Sequence, residues 1–141
     1  MNEKELLPRI HASMYQQCMK RGYATPVDVL MDVDVLSKKS YEDWRFGKVA
    51  YLEKVCVVNL HKLSFIMQQI KSCAKMNGYK ESFTCYKQWG NKSSSESKKA
   101  LPLRFSKSGD PTIERAYATH YLDVKRIEEI KEEKHNTGMK E

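Results

Sequence analysis

The 141 residues, 40% hydrophobic and 30% charged, suit a globular chain long enough to bury a modest core as one domain. A formal net charge of +7 allows attraction to phosphates or other anionic surfaces, while no apolar run approaches the roughly 20 residues a membrane-spanning helix needs. The opening MNEKELLPRI has no basic segment followed by an apolar one, so a cytoplasmic protein without a membrane partner is expected.

Residues 3–21 have the pattern of an amphipathic helix, with Leu7, Ile10, Met14 and Cys18 on one side and Met19 beside them. Its regular part should begin near Pro8 and stop at Gly22. Thr25-Pro26 is an N-cap followed by proline at the first helical position. From Val27 to Leu36 apolar and polar residues alternate as in a strand, yet the cap and the spacing of Val27, Leu30 and Met31 favour a helix, which is the reading adopted. Ser40 should cap a short aromatic helix through Phe46, ended by Gly47, with Trp44 in the core.

The organising element is a long central helix over about 50–76. Leu52, Cys56, Leu63, Ile66, Ile70, Cys73 and Ala74 recur every three or four residues, the period of a helix burying one face. A second stripe, Tyr51, Val58 and Phe65, runs on another side, with His61 at its boundary, so neighbours on two sides are expected. Asn77-Gly78 closes the helix, and the bundle spans 3–77. Beyond it, alternation in 82–89 and 101–106 predicts a β-hairpin packed by Phe83, Cys85, Leu103 and Phe105 and joined by the polar loop 90–99. Asp110-Pro111 opens a helix over 111–119, and 123–141 is a charged helix or tail with a thin edge of Ile127 and Ile130. The fold class is therefore α+β, mainly α, with a globular domain over 1–122. A bundle followed by a hairpin resembles, in general layout only, a winged-helix module.

The charge is unevenly placed. Residues 1–79 carry 12 Lys and Arg against 8 Asp and Glu, residues 80–107 carry 7 against 2, and residues 108–141 carry 6 against 8. The middle segment places Lys80, Lys87, Lys92, Lys98, Lys99, Arg104 and Lys107 around Tyr86 and Trp89. Lys and Arg on a hairpin neutralise phosphates without reading sequence, and exposed aromatics stack on unpaired bases. Lys38, Lys39, Arg45 and Lys48 flank the short aromatic helix and could extend the surface. The expected function is nucleic-acid binding, DNA rather than RNA, through Lys87, Lys98, Lys99, Arg104, Lys107, Lys38 and Lys48. The alternative is a protein–protein adaptor or homodimer using apolar surface that so small a bundle leaves uncovered.

Chemistry is less evident. Glu114, Arg115, Tyr117, Thr119, His120 and Asp123 cluster in sequence, and a carboxylate such as Glu114 or Asp123 could orient His120 as a general base. No nucleophile motif or phosphate-binding glycine loop accompanies them. Cys18, Cys56, Cys73 and Cys85 form no C-x-x-C pair and are expected to be small buried hydrophobes in a reducing compartment. No catalytic centre, metal or cofactor is expected.

Overall fold

A capping box starts the chain's first helix. The Asn2 side chain accepts the Glu5 N–H at 2.8 Å, and the Glu5 carboxylate accepts the Asn2 N–H at 3.3 Å. Helix α1 (Glu3–Arg21) thus begins well ahead of Pro8. The computed structural model describes residues 2–90 and 102–139. Gly22, at φ 89°, ends α1 and sends its N–H to Cys18 O at 2.7 Å. The buried face of α1 is Leu6, Ile10, Ser13, Met14, Gln17 and Cys18. Leu7 and Met19, expected inside, are exposed, because the stripe that meets the core starts one position earlier, at Leu6.

Strand β1 (Tyr23–Ala24) leads into α2 (Pro26–Asp32), which is capped by the Thr25 hydroxyl accepting Asp28 N–H at 3.1 Å. The helical reading of this run holds, but it stops at Asp32, and Val33, Val35 and Leu36 are buried after it. Helix α3 (Lys38–Arg45) is capped by Ser37, whose hydroxyl takes the Ser40 N–H at 3.0 Å. Ser40 therefore lies inside the helix instead of opening it. Trp44 is fully buried, as expected.

The central helix, α4 (Leu60–Met76), is shorter than the periodicity implies. Leu52–Val55 forms a 3-10 turn, and Cys56 is extended. One long-range and one local bond account for the break: Val57 N–H donates to Val35 O at 2.9 Å, and the Asn59 side chain accepts Lys62 N–H at 2.9 Å, capping α4. Leu63, Ile66, Ile70, Cys73 and Ala74 remain buried, and α4 packs chiefly on α1. Of the second stripe only Phe65 belongs to α4, where it is half-buried, and His61 is exposed.

A three-stranded antiparallel sheet completes the α+β fold. It contains β1, β2 (Lys80–Phe83) and β3 (Thr119–Leu122) in the order β1-β3-β2. Tyr23 and Lys80 both register with Leu122, and Phe83 pairs with Thr119. The hairpin expected over 82–89 and 101–106 is replaced by a single antiparallel bridge, Lys87 to Pro102. The backbone of 80–83 is paired by 119–122, and the chain then leaves the sheet to bury Tyr86. Phe83 and Cys85, expected inside, are exposed, whereas Phe105 is buried. Among the described residues there is no ladder to make a wing, so the winged-helix layout is not seen there.

Helix α5 (Pro111–Ala118) opens at Asp110, whose carboxylate accepts the Thr112 and Ile113 N–H groups at 2.9 and 3.3 Å. The C-terminal segment is helical, α6 (Val124–Met139). It is fastened to α1 by Asp123 N–H on Gly22 O at 2.8 Å and by Arg126 Nε on Met19 O at 2.9 Å. Among the described residues no helix is long and apolar enough to cross a membrane.

Candidate functional site

The last carbonyls of a helix have no partner within it. In α3 the Asp43 and Trp44 carbonyls take the Lys48 and Gly47 N–H groups, and those of Arg45 and Phe46 are taken by the segment that leaves the sheet. Trp89 N–H donates to Arg45 O at 2.6 Å, and the Gln88 amide reaches Phe46 O at 3.4 Å. Gly47, at φ 78°, lies against the Gln88 side chain, where a Cβ would come within 2.6 Å of it. This docking lays 86–89 beside α3 and builds an aromatic cluster. Trp44 packs on Tyr86 and Phe105 with centroids at 5.7 and 5.1 Å and sends its indole N–H to Arg104 O at 2.8 Å. Trp89 meets Tyr41 and Phe46 edge-on at 5.8 and 5.5 Å. Such contacts contribute about 0.5–1.5 kcal/mol per pair beyond burial. The cluster surfaces at Phe46 and Trp89, which are 46% and 37% exposed.

The Arg45 guanidinium lies between two of these rings, 4.6 Å from the Trp89 centroid and 5.1 Å from that of Tyr86. Its Nε is buried without a hydrogen-bond partner among the described residues. Burial pushes the Tyr41 and Tyr86 phenols above their ordinary range, so both stay protonated.

The structure gathers some of the predicted cations and separates others. Lys48 and Lys87 adjoin Gly47 and Gln88 in the chain and so flank their contact, and both are exposed. Lys38, also exposed, begins the same α3. None of the three makes an ion pair among the described residues, whereas Lys39 pairs with Asp43 at 3.2 Å. Lys92, Lys98 and Lys99 lie outside the described residues. Their flanks, however, are both at this face: Gly90 abuts the Phe46 ring, and Pro102 is bridged to Lys87.

Arg104 and Lys107 belong elsewhere. Arg104 folds back on its own turn, donating from Nε to Ser106 O at 2.8 Å and from its terminal nitrogen to Lys107 O, over the Tyr51 ring. Lys107 gives its backbone N–H to Glu53 at 2.9 Å. Carbonyls of the 106–109 turn thus hold the guanidinium that the sequence suggests for phosphate.

The chemical cluster is dispersed in a similar way. The Glu114 carboxylate accepts Phe105 N–H at 2.9 Å, Ser106 N–H at 2.6 Å and the Ser106 hydroxyl at 2.5 Å, pinning that turn to α5. Asp123 accepts Arg126 N–H at 3.1 Å and caps α6. His120 is half-buried, stacked on Tyr23 with centroids at 5.6 Å and with Nε2 3.2 Å from the Tyr86 hydroxyl. Burial, aided by the Arg21 charge, lowers its pKa, so the neutral ring is favoured. No carboxylate among the described residues hydrogen-bonds it.

Only Cys18 and Cys73 are buried, while Cys56 is half-buried and Cys85 exposed. Burial raises the pKa of Cys18 to about 11 and that of Cys56 to about 12, leaving both as thiols. No group of three His, Cys, Asp or Glu side chains that could hold a metal ion occurs among the described residues.

A further feature has no counterpart in the sequence pattern. A groove of about 830 Å³ separates α4 from α5, walled by Leu60, Leu63, Met67, Ile113, Ala116 and Tyr117. Glu53 and Lys107 stand on its lining, and the Tyr117 hydroxyl donates to Glu53 at 2.8 Å. Its apolar residues lie on two helices brought together only by tertiary structure, so no periodicity announces it. No protein-family model, curated protein or solved structure matches this chain.

Proposed function

We propose that the protein binds nucleic acid, with DNA the expected partner, through the face built from α3 and residues 86–89. The observation that carries the reading is the docking of Gln88 and Trp89 on the end of α3, which puts Lys48 and Lys87 around two exposed aromatic rings. Lys38 extends the cationic surface along α3, and Gly90 and Pro102, the described residues on either side of Lys92, Lys98 and Lys99, both lie at this face. The Arg104 guanidinium is held at the 106–109 turn and Lys107 lines the groove between α4 and α5, so neither is counted in it. The acids of α3 are Glu42 and Asp43, and Asp43 is taken up by Lys39.

Phosphate contacts of this kind release counterions, so affinity should fall steeply with salt. Fluorescence anisotropy with labelled oligonucleotides tests this directly. The double variant Lys48→Gln, Lys87→Gln should weaken binding to all sequences and reduce the salt slope by about one for each lysine replaced. Absence of association at low salt with DNA and RNA, duplex or single-stranded, would overturn the reading.

A second reading, a homodimer, is favoured by the groove between α4 and α5. Helix α1 exposes an apolar row, Leu7, Tyr15 and Met19, of the right chemistry to enter that groove on a second copy. Light scattering showing a dimer that Met67→Glu converts to monomer would support it, and a strict monomer at high concentration would end it.

A further inference from the structure

We infer that the nucleic acid taken by this face is single-stranded, its unpaired bases stacking on Trp89 and Phe46. The inference rests on the nucleic-acid reading above and adds the form of the ligand. The two tryptophans of the chain have opposite roles. Trp44 is fully buried with its N–H on Arg104 O, which is what an internal tryptophan requires. Trp89 is fixed by its own backbone on Arg45 O, yet more than a third of it remains exposed, beside the still more exposed Phe46.

These rings are held in place. Their centroids are 5.5 Å apart at 76°, so they present surfaces in two directions, and Tyr41 supports Trp89 edge-on. Arg45 stands against the Trp89 ring at 4.6 Å, with no carboxylate paired to it among the described residues. A ring backed by a guanidinium offers a base a polarised aromatic surface and leaves a positive charge near the adjoining phosphate. Lys48 and Lys87 stand beside it for further phosphates.

The same geometry disfavours duplex. Paired bases are already stacked on one another, so their faces cannot meet Phe46 or Trp89. Reading a major groove needs a helix with base-contacting side chains toward its N-terminus. Helix α3 has eight residues, and Tyr41, Glu42 and Asp43 follow its opening lysines and serine.

The test compares oligothymidylate and oligouridylate of roughly 12 nucleotides with a duplex of the same length. Trp44 is shielded, so a change in intrinsic fluorescence on adding a single strand reports Trp89. The expected result is quenching by single strands but not by duplex. Binding of single strands should weaken roughly 10-fold on Phe46→Leu and on Trp89→Leu. Phe46→Leu guards against misfolding, because nearly half of that residue is in solvent and leucine keeps an apolar side chain there, and circular dichroism checks both variants. If duplex binds as tightly as single strands, without quenching, and neither variant changes affinity, the stacking inference falls while the nucleic-acid reading stands. If no oligonucleotide binds at low salt, both fall together.

Discussion

Removing the Glu114 carboxylate should unfasten the turn that joins the aromatic cluster to α5. Phe105 and Ser106 are 3% and 1% exposed, and their backbone N–H groups end on Glu114 at 2.9 and 2.6 Å. In Glu114→Ala both donors lose their acceptor inside the protein. A buried donor left unsatisfied costs about 1–3 kcal/mol. The Ser106 hydroxyl can turn and also accepts Gly109 N–H at 3.0 Å, so it adds nothing to the sum. Glu114 is only half-buried, and water can replace part of what is lost. The expected destabilisation is therefore about 2–4 kcal/mol, large against the roughly 5–15 kcal/mol that holds a typical domain together. Glu114→Gln keeps one acceptor oxygen and should lose about half as much. Urea unfolding followed by circular dichroism measures both, provided the slope with denaturant is unchanged. A loss below about 1 kcal/mol in Glu114→Ala, or equal losses in the two variants, would refute the role assigned to this carboxylate.

Three further outcomes follow from the packing. His120 titrates below its ordinary 6.5 in the fold, so as pH falls through that value the unfolded chain takes up the proton first and stability declines toward the folded pKa. His120→Gln should flatten this decline in urea unfolding compared above and below pH 6.5, whereas an unchanged slope would contradict it. Gly22→Ala places a Cβ against Ile127 of α6 in a left-handed backbone, and should cost about 2–4 kcal/mol, read as a lowered melting temperature and earlier proteolysis of α6. Among the thiols, Cys85 is exposed while Cys18 and Cys73 are buried. Ellman's reagent should meet one fast-reacting thiol in the native protein, absent in Cys85→Ser.

Features fixed by a few neighbouring residues were legible in advance. Thr25-Pro26 and Asp110-Pro111 start helices because their cap chemistry is complete within four residues. Gly22, Gly47, Gly78 and Gly109 all adopt positive φ at turns. The periodicity overstates the central helix because Leu52 and Cys56 happen to extend its period. What breaks the helix is Val57 bonding to Val35 and Asn59 acting as a cap. The hairpin failed for a different reason: 80–83 had a more distant partner, and Tyr86 was committed to Trp44 and Phe105. As for the surface, lysines announce their exposure but not their company. The grouping of Lys48 with Lys87 depends on a contact across about 40 residues of chain, and Arg104 turns away because a loop offers it carbonyls.

The strand order also constrains how the molecule can be made. β3 sits between the other two, yet it is the last of the three to leave the ribosome. At roughly 5–20 residues per second, Tyr23 and Ala24 wait on the order of ten seconds for Tyr121 and Leu122 to be synthesised. Late in that interval, once α4 and β2 have been made, α1 and α4 can pair, but both outer strands then present bare edges. A nascent chain in that state is a natural client for chaperones, and a stop codon ahead of Thr119 would leave the edges permanently unmatched.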